Sequence, residues 1–293
     1  MFNSIPNIMI KRSYLFVPGD RPERFDKALA SGAHAVILDL EDAVTPEHKL
    51  QARATIREWL MQTEARVWLR VNPADTAWHA EDCALLKLAP VCGVMVPKAQ
   101  DASALARLAG ALRPDQSIIP LVESVMGWFN ALALAQVPQV HRLAFGSMDF
   151  MVDSGIQGDG EELDAVRTQL VLVSRLAGVA SPIDGVSLAI DNAQELEADV
   201  RRSRRYGFGA KLCIHPKQIA GVHGGFAPTQ SEIDWAHRVL DAMAAGPLGA
   251  ITVDGKLVDK PIAMRAQSIL DETPMPDGAC SMEKSRSLVT RAG

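Results

Sequence analysis

Short apolar runs of β-type composition alternate along the chain with segments whose apolar residues recur every three to four positions. The runs are SYLFVPG, AVILDLED, VWLRVN, GVMVPK, SIIPLVES, RLAFGS, PIDGVSL and KLCIHP. The periodic segments are PERFDKALAS, KLQARATIREWLMQ, AEDCALLKLA, ASALARLAGAL, MGWFNALALAQ, DAVRTQLVLVSRLAG, AQELEADVRRSRRYG and, after the last run, SEIDWAHRVLDAMAA. Eight strand–helix repeats predict an α/β fold, a parallel (β/α)8 TIM barrel. An open doubly wound sheet is the alternative, but it usually has fewer units and a Gly-rich first turn, and no GxGxxG follows the first strand here.

The barrel is expected to fill residues 1–250. Residues 251–272 form an appendage, in which a DG hairpin turn leads to Asp259 and Pro261 at the start of a short helix. Residues 273–293 mix Pro, Gly, Ser and charge without periodicity and are expected to be a flexible tail.

In a parallel barrel the chemistry collects at the carboxyl ends of the strands. Six of the runs end in polar or charged groups: Pro18-Gly19-Asp20-Arg21, Glu41-Asp42, Arg70 with Asn72, Lys98, Glu123-Ser124 and Ser147 with Asp149, and His215 ends the last. AVILDLEDAV is the most unusual, because three carboxylates sit in a run that reads as a buried strand. Burying even one ionised carboxylate costs several kcal/mol unless a cation, a metal or a set of donors meets it. Alternation puts Ile37, Asp39 and Glu41 on one face, read as the barrel interior, with Val36, Leu38 and Leu40 on the other. Asp39 is then the deeper, structural residue, Glu41 lies nearer the mouth within reach of Arg70, and Asp42 begins the loop, placed to orient a water beside a metal.

Glu123 and Asp149 end neighbouring strands, so their carboxylates could meet. Two acidic oxygens plus waters suit Mg2+. Equally, each could cap a helix or pair with a Lys. With no HxxxH, CxxC or His cluster, zinc is not expected. Arg70 could grip a carboxylate or thioester oxygen with two hydrogen bonds, or form an internal ion pair with Glu41. Arg21, Arg24 and Lys27 surround a helix start, where phosphate is welcome, although exposed basic residues are commonplace there. His215 reads as pocket lining, and Asp259, on local grounds, as a helix N-cap.

Composition narrows the partners. The 293 residues are 48% hydrophobic and 22% charged with net charge −5, ordinary for a soluble globular protein and against a nucleic-acid-binding surface. Cys83, Cys92, Cys213 and Cys280 have no CxxC spacing and read as reduced and structural. The first residues show no basic region ahead of a long apolar segment, and no window approaches the roughly 18 apolar residues of a membrane span. A cytoplasmic location without membrane contact is expected.

Several of these stretches, in order, carry a resemblance: RSYLFVPGDRPERFDKALASGAHAVILDLEDAV, RVNPADT, VPKAQ, LVES, LAFGSMDFMVD, GFGAKLCIHPKQI and DGKLVDKPIAMRAQ. From about Arg12 to Leu270 the chain resembles the citrate lyase β-subunit-like family of CoA-thioester carbon–carbon lyases, within the HpcH/HpaI aldolase superfamily. The resemblance implies a TIM barrel that uses Mg2+ to make or break a bond between a CoA-thioester enolate and a 2-oxo acid. It also implies metal ligands at Glu123 and Asp149 and a substrate-binding arginine at Arg70. CoA phosphate contacts would fall at Arg21, Arg24 or Lys27, with Ile214 and His215 lining the CoA channel; Phe16 joins the substrate-binding group.

Asp259 would be the acid/base on a C-terminal lid that can lie over a neighbouring subunit, in a homo-oligomer (trimer or hexamer). One departure is Met148, where relatives often place an acidic or small residue before the aspartate. The implied reaction is retro-Claisen cleavage of a malyl-, citramalyl- or citryl-CoA type thioester, with Glu41 or Asp42 among the candidates for hydroxyl base. A malyl-CoA-type thioesterase, an aldolase acting on free 2-oxo acids and a non-enzymatic assembly subunit are the competing readings.

Overall fold

The computed structural model describes residues 11–245 and 251–273. Most of the N-terminal stretch read for a targeting signal, Cys280 and all but the first residue of the expected tail lie outside the described residues. Eight parallel strands close into a barrel in sequence order: β1 Ser13–Pro18, β2 Ala35–Asp39, β3 Val67–Arg70, β4 Val91–Val96, β5 Ser117–Val122, β6 Ala144–Phe145, β7 Ile183–Asp184 and β8 Ala210–Cys213. The last strand returns to the first, with Ser13 opposite Lys211 and Leu15 opposite Cys213. The expected TIM barrel is therefore the observed fold.

Two apolar layers follow from strand alternation. Ile37, Trp68, Met95, Leu121 and Ile183 fill the interior, whereas Val36, Leu38, Leu69, Val94 and Cys213 face outward onto the helices. In β3, Trp68 and Arg70 share the inner face, as do Ile37 and Asp39 in β2. The register sets Asp39 directly beside Arg70, so the inward acid of one strand meets the inward cation of the next.

Two helices escaped the periodicity reading, Ser147–Ser154 and Gln218–Phe226. The second contains Gly221, Gly224 and Gly225, which argue against a helix on propensity alone. Packing explains them: a Cβ on Gly221 would lie 2.8 Å from Leu196, and one on Gly225 would lie 2.5 Å from Val200. The glycines let this helix press against helix Ala193–Tyr206. The segment read as one helix after β5 is two, Val125–Phe129 and Ala131–Ala135.

The chain divides into two compact units, Met1–Phe226 and Ala227–Gly293. In the second, helix Gln230–Ala245, the hairpin of Ile251–Val253 and Lys256–Val258, and helix Lys260–Asp271 share a small core that includes Ala236, Val239, Val258 and Ile269. Helix Gln230–Ala245 packs with the final helix and belongs to the second unit. Asp254 and Gly255 take φ of 52° and 73°, the left-handed pair that a two-residue hairpin turn demands. Among the described residues no helix is long and apolar enough to cross a membrane.

Candidate active site

Arg70, at the end of β3, donates from Nε to Asp39 Oδ1 (2.7 Å) and from Nη2 to Asp39 Oδ2 (2.6 Å). Its third nitrogen, Nη1, lies 2.9 Å from Glu41 Oε2 and 3.7 Å from Asp42 Oδ2. The primary partner of Arg70 is therefore Asp39, and the pair expected with Glu41 is the secondary one. Asp39 also accepts from the Glu41 and Ala43 amides, at 2.9 and 3.2 Å, which fixes the bend leaving β2. Burial opposes the charge of Arg70, but Asp39 and then Glu41 outweigh it and hold the guanidinium above its ordinary pKa. The Phe16 ring centre lies 4.5 Å from the guanidinium carbon, a cation–π contact.

Lys49, almost fully buried, donates to the Leu40 and Glu41 carbonyls at 2.7 and 2.8 Å. Asn72 reaches the same Leu40 carbonyl and is itself held by Asp82. The β2 terminus is thus clamped from two sides, yet Glu41 Oε2, itself buried, accepts no hydrogen bond. Burial pushes the Glu41 carboxyl up to about 7 against the pull of Arg70, with Asp42 and Asp39 adding to the rise.

Glu123 follows β5, almost fully buried, and accepts the Lys98 amide on Oε1 at 2.6 Å. Lys98 has φ of +48°, a conformation seldom adopted by a long side chain, and this kink aims its N–H at the carboxylate. Gly146 leaves the space that Glu123 fills: a Cβ there would lie 2.6 Å from both Glu123 Cβ and Oε2. Burial, and then the facing carboxylates of Glu41 and Asp149, push Glu123 up to about 8.

Asp149 lies in the first turn of helix Ser147–Ser154, half-buried. Glu123, Asp149 and Lys98 line one cavity of about 670 Å3 that extends past Asp75 and His79 to Arg107. Among the described residues no group of three or more His, Cys, Asp or Glu is arranged to hold a metal. Two converging carboxylates, mutually repelling and short of cation, nevertheless suit a hard divalent ion that takes its other ligands from water and substrate.

The basic residues after β1 are exposed; Arg21 and Arg24 are paired loosely with Asp20 (3.9 Å) and Glu23 (3.8 Å), and Lys27 is in the next short helix. At the end of β8, the amides of Ile214 and His215 both donate to Gln218 Oε1, at 2.9 and 3.1 Å. Gln218 is buried and returns its Nε2 to the Ser187 and Ala189 carbonyls, joining the loops after β7 and β8. Asp259 belongs to the second unit, where its Oδ1 accepts the Ile262 amide at 3.1 Å as the N-cap of the last helix.

Residues 12–216 match the HpcH/HpaI aldolase/citrate lyase family. The chain is 34% identical to a citrate lyase subunit beta-like protein of Deinococcus radiodurans, over 88% of this chain and 96% of that one. The chain belongs to the HpcH/HpaI aldolase/citrate lyase family. A second relative, 31% identical over 85% of this chain and 89% of its own length, is a (3S)-malyl-CoA thioesterase of Cereibacter sphaeroides. Among solved structures, CitE of Mycobacterium tuberculosis in complex with magnesium, acetoacetate and coenzyme A superposes with a TM-score of 0.80 at 31% identity, covering 90% of this chain and 98% of that one.

As a member of the citrate lyase family, this chain is an enzyme of the carbon–carbon lyase type. Several residues that build the site were not found from the family-like motifs. Lys49 and Gln218 give no sequence signal, because their role is to satisfy backbone carbonyls or amides that only the fold brings near. Asp184, at the end of β7 in PIDGV, is a buried acid held by Lys211 at 3.2 Å, Arg167 at 3.3 Å and the Ser203 hydroxyl. A carboxylate in an apolar run was the available signal for it, as for Asp39.

Proposed function

We propose that this enzyme is a Mg2+-dependent lyase that cleaves a 3-hydroxyacyl-CoA thioester, of the citryl-, malyl- or citramalyl-CoA type, to acetyl-CoA and a 2-oxo acid. The observation that carries this reading is the arrangement of Arg70, whose Nε and Nη2 are occupied by Asp39 while Nη1 points toward a Glu41 carboxylate oxygen that accepts no hydrogen bond. The crystal structure of CitE with magnesium, acetoacetate and coenzyme A supports the same ligand classes here.

Glu123 and Asp149 would hold Mg2+. When bound there, the ion would draw electron density from the hydroxyl and carboxylate of the substrate and from the carbonyl oxygen that forms. Arg70 binds the carboxylate of the departing 2-oxo acid, and its bond to Asp39 keeps the fork from turning away. Glu41 takes the hydroxyl proton on its carboxylate. The electrons of the C–C bond then pass to the thioester as an enolate, and Asp259 returns a proton to the enolate carbon, giving acetyl-CoA. Arg21, Arg24 and Lys27 contact the CoA phosphates, Phe16 backs Arg70, and Ile214 and His215 line the CoA channel.

The test is incubation with Mg2+ and malyl-, citramalyl- and citryl-CoA, with acetyl-CoA and 2-oxo acid assayed together. Equal amounts of the two from at least one thioester are expected, and none from any of them would defeat the lyase reading. The thioesterase name of a 31% identical relative favours a second reading, in which the same site adds water to the thioester. Free CoA with intact hydroxy acid, and no 2-oxo acid, would establish it.

We further infer a homo-oligomer (trimer or hexamer) in which Asp259, on a lid formed by residues 251–272, serves a neighbouring subunit. Mixing inactive Asp259→Ala and Glu123→Ala proteins would then restore part of the activity. Light scattering that returns a monomer would rule this out.

A further inference from the structure

The floor of the barrel, at the opposite end from Glu123 and Asp149, gathers buried hydrogen-bond donors that find no acceptor. Tyr14, Trp68 and Arg142 have 0%, 4% and 4% of their surface exposed. Trp68 Nε1 and Arg142 Nε lack a hydrogen-bond partner, and the Tyr14 hydroxyl, which can accept from Arg142, finds no acceptor for its own proton. Buried polar atoms in native proteins nearly always have a partner, so three unmet donors in one place call for a ligand.

The three are neighbours. The Arg142 guanidinium carbon lies 5.8 Å from the centre of the Tyr14 ring, and the Tyr14 and Trp68 rings meet edge to face at 6.2 Å. Lys11 places its ammonium 6.0 Å from the Trp68 ring. Two glycines let the Arg142 and Trp68 side chains pack directly on the backbone: a Cβ on Gly209 would come within 2.8 Å of Arg142 Nη2, and one on Gly93 within 2.4 Å of the Trp68 ring.

Charge decides the class of ligand. Arg142 donates from Nη1 to the Lys11 carbonyl at 3.1 Å, but no carboxylate among the described residues is ion-paired with Arg142 or Lys11. Outside the described residues the only acidic side chains in the sequence are Asp277 and Glu283. A buried guanidinium without a counter-ion is costly. The surroundings are electropositive: burial, followed by Arg142 and Lys11, lowers His141 to about 4. Burial also raises the Tyr14 phenol, so it remains an O–H donor.

We propose that the barrel floor binds a small inorganic anion of about the size of chloride, held by Arg142 with the Tyr14 hydroxyl and the Trp68 indole N–H and balanced by Lys11. The site is separate from the reaction centre and acts on stability. Crystals of the full-length protein soaked in sodium bromide are expected to show an anomalous bromide peak in contact with the Arg142 guanidinium. Melting temperatures measured in sodium chloride and in sodium gluconate at equal ionic strength give a second readout.

The wild-type protein should gain roughly 2–3 °C per tenfold rise in chloride above its dissociation constant. The Arg142→Met protein should show no difference between the two salts. If that variant does not fold, the bromide peak on the wild-type protein decides alone. Ordered water at the floor with no bromide, or equal melting of the wild-type protein in both salts, overturns the proposal.

Discussion

Asp39 and Arg70, adjacent in register on β2 and β3, form a two-bond fork at 2.7 and 2.6 Å inside the barrel. The pair is a structural lock that fixes the direction of the guanidinium. Asp39→Asn leaves the guanidinium buried without its matching charge and is expected to cost about 3–5 kcal/mol in urea unfolding. Glu41→Gln removes a carboxylate already disfavoured by burial, so it should change stability by less than Asp39→Asn while lowering kcat by roughly 10²–10⁴-fold. Equal destabilisation by both would show that Glu41, too, serves the fold.

The space beside Glu123 is set by a single glycine. Gly146→Ala would place a methyl group 2.6 Å from Glu123 Cβ and Oε2. The carboxylate must then move from the Lys98 amide, and Mn2+ affinity, read by electron paramagnetic resonance, should fall about 10–100-fold. Overpacking should cost about 1–3 kcal/mol besides. Unchanged Mn2+ binding would remove Glu123 from the metal site.

Gln218 ties four backbone groups of the loops after β7 and β8. Gln218→Ala should raise KM for the CoA thioester and leave kcat within about twofold, because Ile214 and His215 are assigned to binding and not to bond cleavage. A fall in kcat at unchanged KM would contradict that assignment.

His34 contributes to the pH dependence, together with His141 and His223, whose pKa values are lowered too. The Nδ1 of His34 accepts the Arg12 amide at 2.9 Å, its ring stacks on His223 at 4.0 Å, and burial, followed by His223, Arg12 and Lys11, lowers its pKa to about 4. Around this stack, Ser13 bonds His223 at 2.8 Å, and burial and Arg12 lower His223 as well. The folded pKa lies below the unfolded value near 6.5, so the folded state takes up the proton less readily. Stability is full above about pH 6.5 and declines as pH falls toward 4. His34→Asn, which can keep an acceptor for Arg12, should flatten that decline in urea melts between those limits; an unchanged slope would assign it to other groups.

The alternation of strands and helices, and the inward set of Asp39, Glu41 and Arg70, were legible in the sequence because side-chain direction along a strand follows from local geometry. Glu123 lies just past β5, as a strand end should, but Asp149, read as ending the sixth strand, lies in the first turn of helix Ser147–Ser154, four residues beyond β6. The hairpin at Asp254-Gly255 and the Asp259 cap were legible for the same local reason.

Which acid Arg70 chooses was not legible: Asp39 and Glu41 both face inward, and only the lateral register, set by the packing of whole strands, puts Asp39 at its side. Nor could the sequence show helix Gln218–Phe226, whose glycines disfavour a helix locally but are required where it meets Leu196 and Val200. The sequence by itself determined the barrel and its inward-facing acids, through rules that act within a few residues. Pairings, clamps such as Lys49 and Gln218, and unpartnered groups such as Arg142 Nε were decided by tertiary structure, because burial creates both the need for a partner and the distance to it.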